Sequence, residues 1–243
     1  MRLILVLAAL VAIAGCSDRG GSGAAAPRDD AHLRIGDASR PLVFLANPTE
    51  PPCCFRNEAG EIVGTDVDLA RKIAAKMGRE MVMEGVDFIE ILPRLKAGTA
   101  DFSIATITMT ESRRRDVDFS EPYGEGGARF LYRTDGKKPR MSQLNSIRVG
   151  IESDSAHDIY LCLHGCDPRR YIRIQDAVAA LRKGEIDAVL FDGVQLKALA
   201  EASGGKLAVT QQETREFYGV AVDKRRPDVL AAANAVIAEG RAR

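Results

Sequence analysis

The chain has 243 residues, a length that suits between one and two domains of ~150 residues. Hydrophobic residues make up 46% and charged residues 28%, which excludes collagen, long coiled coil, extended disorder and a multi-span membrane protein. Lys plus Arg equals Asp plus Glu at 34 each, Trp is absent and aromatics are 5%. Without net positive charge or stacking rings, no nucleic-acid partner is expected.

Arg2 precedes an apolar run of twelve residues, Leu3 to Ala14, too short to span a bilayer but suited to the h-region of a signal peptide. The run ends Ile13-Ala14-Gly15-Cys16, which resembles the lipobox of bacterial lipoproteins, where cleavage before the Cys frees its thiol for acylation. Residues 1–15 are therefore expected to be removed and Cys16 to be lipidated; an ordinary signal peptide with a chance Cys is the alternative. Residues 16–31, rich in Gly, Ala and Ser, read as a lipidated flexible tether. The mature protein is then expected in the periplasm or cell envelope, held to the membrane by acyl chains.

Four further cysteines form two local pairs, Cys53-Cys54 and Cys162/Cys166. In an exported protein a local Cys162–Cys166 disulfide is expected, while the strained ring that adjacent cysteines would form favours a reduced Cys53-Cys54. A metal reading of Cys162, His164 and Cys166 with His157 is the weaker alternative, because residues two apart on a helix face different ways. No metal and no cofactor are expected.

From residue 31 onward, short β-type runs alternate with amphipathic helical runs, the α/β pattern. Leu42 to Ala46 is a buried strand. Thr65 to Asp68 forms a capping box opening a helix with Val67, Ala70, Ile73 and Met77 on one face. Met81 to Met83 is a strand, Phe88 to Leu95 a helix closed by Gly98, and Phe102 to Ala105 a strand before the hydroxyl-rich turn Thr106 to Thr110. In the second half, Ile147 to Ile151, Tyr171 to Ile174 and Ala188 to Phe191 read as strands. Leu207 to Val209 and Phe217 to Val222 follow as two more. Ser155 to Leu163, Asp176 to Lys183, Gly193 to Ser203 and Pro227 to Glu239 read as helices. Leu95 to Asp101 and Leu181 to Asp187 share the pattern Leu-[Lys/Arg]-x-Gly-x-x-Asp, 86 residues apart. The repeat predicts two similar α/β lobes.

No nucleophile elbow, Walker loop, His-Glu-x-x-His or dinucleotide fingerprint is present, so no catalytic residues are assigned. Ligands of open α/β sheets lie beyond the carboxyl ends of the strands, where Thr106, Thr108 and Asp192 fall. Arg113 after a run of hydroxyls suits a carboxylate, and Asp192 suits an ammonium. The plainer readings make Arg113 to Arg115 a solvated charge run and Asp192 a helix N-cap.

Glu61 to Ala70, Leu92 to Asp101 and Thr108 to Tyr123 resemble family 3 of the bacterial extracellular solute-binding proteins, the receptor subunits of polar amino acid ABC importers. Val149-Gly-Ile and Tyr218-Gly-Val-Ala-Val222 continue the likeness, which spans Leu33 to Ala238. The resemblance implies the type II periplasmic binding fold, two α/β lobes with a ligand cleft, joined by two crossing hinge strands. It places lobe 1 at 32–126 plus 219–243 and lobe 2 at 127–218. It implies that Arg113 holds a ligand α-carboxylate with Thr108 and the backbone of Ala105 and Thr106, while Asp192 holds the α-ammonium. Phe88 falls where the family sets an aromatic against the ligand, though it also fits the core face of its helix. Asn47 and Glu50 fall in the side-chain loop, and Ser155 and His157 at a second-lobe helix N-terminus. Implied partners are a small amino acid-like ligand, polar or cationic, and an ABC permease in the membrane, with the receptor itself a monomer. Departures from the family pattern are Glu50-Pro51-Pro52-Cys53 for Tyr-Pro-Pro-Phe, Asp154-Ser155-Ala156 for Gly-Ser/Thr-Thr, and an end at Arg243 short of the usual last helix. The alternatives are a dehydratase of prephenate or arogenate type on the same fold, and a non-transport sensor module.

Overall fold

Every residue of β1 (Leu42–Ala46) is buried, and its side chains divide between two cores as a strand's alternation requires. Leu42, Phe44 and Ala46 enter one core and Val43 and Leu45 another, so helices must cover both faces. These observations come from a computed structural model that describes residues 40–241. Cys16, the signal peptide and the tether lie outside the described residues.

After β1 comes a small antiparallel sheet of β2 (Thr49–Glu50), β3 (Cys54–Arg56) and β4 (Ile62–Val63). Helix α1 (Thr65–Lys76), β5 (Met81–Gly85), α2 (Phe88–Ala97), β6 (Phe102–Ser103), the single-turn α3 (Glu111–Arg114) and β7 (Asp118–Phe119) follow. The chain then leaves this lobe through β8 (Gly124–Gly126) and enters the second with β9 (Ala128–Arg133). A 3-10 turn at Met141–Ser146 precedes β10 (Val149–Glu152), α4 (Ala156–Leu163), β11 (Arg169–Tyr171), α5 (Ile174–Lys183), β12 (Ala188–Asp192), α6 (Gly193–Glu201) and β13 (Leu207–Val209). It returns through β14 (Glu216–Tyr218) to β15 (Ala221–Val222) and α7 (Pro227–Arg241).

Two five-stranded sheets result, in the orders β5-β1-β6-β15-β7 and β11-β10-β12-β9-β13. Strands β8 and β14 pair antiparallel and carry the chain between them, which makes them the two crossing strands of a two-lobed fold. Each sheet is parallel at one side and antiparallel at the other: β15 of the returning chain pairs with β6, and β9, with which the chain enters the second lobe, pairs with β12. Strand β12 alternates like β1: Val189 and Phe191 meet α5 and α6, while Ala188 and Leu190 meet Leu161 of α4.

The repeated motif folds the same way twice. Gly98 and Gly184 both cap their helices in the left-handed region at φ 77°, which glycine adopts without a Cβ penalty. Asp101 then accepts the Val43 N–H at 2.7 Å, and Asp187 the Arg148 N–H at 2.8 Å. Each carboxylate thereby pins the start of the neighbouring parallel strand.

Several local expectations are corrected. Gly64, not Thr65, is the N-cap of α1, and no side chain caps that end. At Gly64 the backbone takes φ 130° and a Cβ would lie 2.2 Å from the Cys53 carbonyl oxygen, so the tight entry excludes the capping box. Ile174 opens α5 instead of ending a strand, because the core of the second lobe buries it. The run Phe217 to Val222 is two strands that serve different sheets. Strand β9 was not anticipated; its alternation is interrupted by Arg129 and Arg133.

The Cys162–Cys166 disulfide is not formed: Cys53, Cys54, Cys162 and Cys166 are free thiols. Helix α4 turns Cys162 to solvent beside Asp158 and Arg170, while the turn after it buries Cys166 against the Leu144 carbonyl. Nor are the cysteines gathered with histidine as a metal set. His157 is buried, whereas His164 is exposed and lies against Tyr160 at 4.3 Å. Among the described residues no helix is long and apolar enough to cross a membrane.

Candidate ligand-binding site

The carboxyl ends of β6, β10 and β12 face one another across the gap between the lobes. There Glu50, Phe88, Thr106, Thr108, Arg113, Glu152, Ser155, Ala156, His157, Phe191 and Asp192 enclose a cavity of about 10 Å³. That holds about one water-sized sphere. This is a closed arrangement, and a solute of amino acid size enters only when the lobes part.

Arg113 ends up buried because Thr110 caps α3 through its hydroxyl, turning the chain so that Arg113 faces in while Arg114 and Arg115 face out. Its guanidinium donates to the Thr108 carbonyl at 2.9 Å and, across the cleft, to the Asp154 carbonyl at 3.0 Å. It lies 5.4 Å from the Phe88 ring centre, a cation–π distance. Burial lowers its pKa, opposed first by Asp192. Asp154 holds a left-handed φ of 58°, a conformation natural to the Gly that the family pattern carries there.

Asp192 occupies the N-cap position of α6 without capping it. Its carboxylate accepts instead from Tyr218 Oη at 2.5 Å and from Thr106 Oγ1 at 3.3 Å across the cleft. Burial raises its pKa, with His157 and Tyr218 opposing. His157 lies buried beside Phe191, with Nε2 3.4 Å from Glu216 Oε1 and 3.7 Å from Asp192 Oδ1. Burial alone would neutralise the imidazole, but Glu216 and then Asp192 raise it. Glu216 itself falls to about 2: His157 and the hydroxyls of Thr108 and Thr214 outweigh its burial. Ligand atoms of His157, Asp192 and Glu216 lie within 4.8 Å of one another, close enough to hold a metal ion. A charged imidazole beside the two carboxylates offsets their charge, although both ring nitrogens are buried without a hydrogen-bond partner.

Glu50 is held by Asn47 Nδ2 at 3.1 Å, Gln195 Nε2 at 3.1 Å and Thr106 Oγ1 at 3.3 Å. Asn47 therefore stands behind Glu50, not in the cavity wall, and Ala105 packs its side chain into the core beside α2. Phe88 both touches that core and lines the cavity. Ser155 caps α4 by accepting from the Asp158 N–H at 3.2 Å.

Sequence reasoning missed Glu152, Gln195, Glu216, Tyr218 and Asp66. Glu152 was within reach, since it follows the strand read as Ile147 to Ile151 at its carboxyl end. Gln195, Glu216 and Tyr218 arrive from α6 and a crossing strand, and nothing local in the sequence marks them. Asp66, buried behind the cavity, is raised by burial to about 7, and burial raises Glu152 to about 8.

Two sheets, two crossing strands and a polar cleft at the strand ends define a type II periplasmic-type binding protein. The chain belongs to the bacterial extracellular solute-binding proteins, family 3, whose pattern matches residues 42–243. It is 30% identical over 196 residues to the L-cystine-binding protein TcyJ of Escherichia coli (strain K12), covering 79% of this chain and 74% of that one. The structure of the arginine-bound Gly52Ala mutant of ArgBP from T. maritima superposes with a TM-score of 0.78 at 31% identity, covering 84% of this chain and 97% of that one. The ancestral amino acid-binding protein AncCDT-1, a precursor of cyclohexadienyl dehydratase, shares the fold at 23% identity, with a TM-score of 0.75 and 83% and 89% of the chains covered.

Proposed function

We propose that this protein is a lipid-anchored receptor that captures an amino acid, polar or cationic in its side chain, and delivers it to an ABC permease. The observation that carries this reading is the pairing of Arg113 from the first lobe with Asp192 from the second, both buried on one small cavity. A zwitterion bound by both would tie the lobes together: Arg113 takes the α-carboxylate with Thr108, and Asp192 takes the α-ammonium. Lobe 1 (32–126 with 219–243) then closes on lobe 2 (127–218) by bending at β8 and β14.

A thermal-shift screen against the twenty amino acids and cystine tests the reading. A ligand at 100 times its Kd stabilises the folded state by about 2.7 kcal/mol, a readily measured rise in Tm. If no amino acid raises Tm, the receptor reading fails; incubation with prephenate, followed by phenylpyruvate absorbance, then tests the dehydratase alternative. Anchoring is tested separately. Cys16→Ser is expected to release the protein from the membrane fraction, and wild-type recovery there would count against acylation.

A further inference from the structure

Charge in the cleft does not balance. Besides Arg113 and His157, the cavity is lined by Glu50, Glu152 and Asp192, with Glu216 directly behind and Asp66 near by. His157 answers Glu216. A bound zwitterion answers the other two assigned groups, its carboxylate meeting Arg113 and its ammonium meeting Asp192. Glu50 is left over, and Glu152 has only a share of the His157 charge. They come from opposite lobes, Glu50 from the end of β2 and Glu152 from the end of β10, and both are buried in the closed arrangement.

We infer that Glu50 and Glu152 form a two-lobe carboxylate latch that lets the cleft close fully only around a ligand with a cationic side chain, Glu152 being the residue that decides between cationic and neutral amino acids. The inference rests on the receptor reading above and names the ligand class of that site.

Three observations support it. First, the two carboxyls act on each other: after burial, Glu152 is the strongest influence raising Glu50. Two ionised carboxyls in a buried cleft disfavour the state that brings them together, so without a cation that state forms only by taking up protons. A cation placed between them reverses the sign; of the cations already lining the cavity, Arg113 donates to the Thr108 and Asp154 carbonyls, and the charge of His157, which lowers Glu152 in part, is shared with Glu216 and Asp192. Second, the two are unequally satisfied. Both oxygens of Glu50 accept hydrogen bonds, from Asn47, Thr106 and Gln195. Glu152 Oε1 is buried without any partner, while its other contact is the backbone of Ile174 at the start of α5. A buried acceptor left unmade is costly, and here it lies on the ligand cavity. Third, a dipolar side chain fits less well. The distal end of cystine would bring a second carboxylate towards Glu50 and Glu152, and the amide of glutamine would bring no charge.

The test compares arginine with citrulline, which share shape and differ in charge. Calorimetric titrations of wild type, Glu152→Gln and Glu50→Gln give the affinity ratio; X-ray scattering of each ligand-free protein gives the closed fraction. Wild type is expected to prefer arginine. Glu152→Gln should reduce that preference about thirty-fold or more, the lower range for losing one partner of a buried charge contact. It should also shift the ligand-free protein towards the compact form, because the repulsion across the cleft is gone. Glu50→Gln should do the same to the compact form, and stands in if the first variant does not fold. Equal binding of arginine and citrulline by wild type overturns the latch, as does a Glu152→Gln variant that weakens both ligands alike. So does a scattering profile unchanged in both variants. Failure of every amino acid to bind sinks the receptor reading and the latch together, whereas binding without charge preference sinks only the latch.

Discussion

Arg113, Arg114 and Arg115 are chemically alike and consecutive, yet only Arg113 is buried. Removing a buried charge that meets its ligand partner costs about 2–5 kcal/mol. Arg113→Ala and Asp192→Ala are therefore each expected to weaken amino acid binding by roughly thirty-fold or more, while Arg115→Ala changes little. Titration of the three variants decides it, and equal losses at Arg113 and Arg115 would refute the assignment. The cleft acids also set a pH dependence. Burial holds Glu152 at about 8 and Asp66 at about 7, above the ordinary carboxyl range, so the closed form binds protons that the unfolded chain has released. Their contribution is full below the ordinary carboxyl pKa and is lost as pH rises through the folded values. His157, also raised, acts in the same direction. Glu216, lowered to about 2, acts oppositely but only at acidic pH. The Tm of the ligand-free protein is thus expected to fall between pH 5 and pH 8, and Glu152→Gln to flatten the slope. A Tm that climbs over that interval contradicts the assignment.

At the scale of elements, the repeated helix–Gly–strand motif offers an internal comparison. Asp101 receives Arg40 and Arg226 as well as the Val43 amide, and Arg226 is fully buried. Asp187 receives Arg148 on a largely exposed surface. Breaking a buried ion pair from one side costs about 3–5 kcal/mol, whereas exposed pairs contribute about 0–1 kcal/mol. Asp101→Ala is therefore expected to destabilise the protein several-fold more than Asp187→Ala in denaturant unfolding, although the motif is the same. Comparable losses would mean that the strand-pinning contact with the backbone amide, common to both, dominates.

The whole molecule is closed by ties from several elements. Gln195 reaches Glu50, Thr106 reaches Asp192, Arg113 reaches the Asp154 carbonyl, and Arg173 pairs with Asp87 at 2.7 Å near the rim. The segments that flank the crossing strands on the second-lobe side run close together: just past β8, a Cβ on Gly127 would lie 1.9 Å from the carbonyl oxygen of Thr214, just before β14. Gly127→Ala is expected to lower both Tm and ligand affinity, since it spreads the strands about which the lobes close. Unchanged affinity in a destabilised variant would place the bending elsewhere.

The two-lobed α/β architecture was legible in the chain because it rests on local rules. A short unbroken apolar run marks a strand buried on both faces such as Leu42–Ala46, a 3.6-residue period marks helices, and Gly98 and Gly184 mark their ends. Arg113, Asp192, Thr106 and Thr108 could be named because strand ends are where open sheets present side chains. Tertiary structure alone decided the rest. Whether Arg113 is solvated or buried depends on Asp154 of the other lobe, 41 residues away. Whether Cys162 meets Cys166 depends on which side of α4 the second core lies. The excess of negative charge is invisible in a sequence whose charges sum to zero. It exists only because Glu50, Glu152, Asp192 and Glu216, scattered over 167 residues of chain, converge on and behind one small buried cavity where Coulomb energy is screened less than in bulk water.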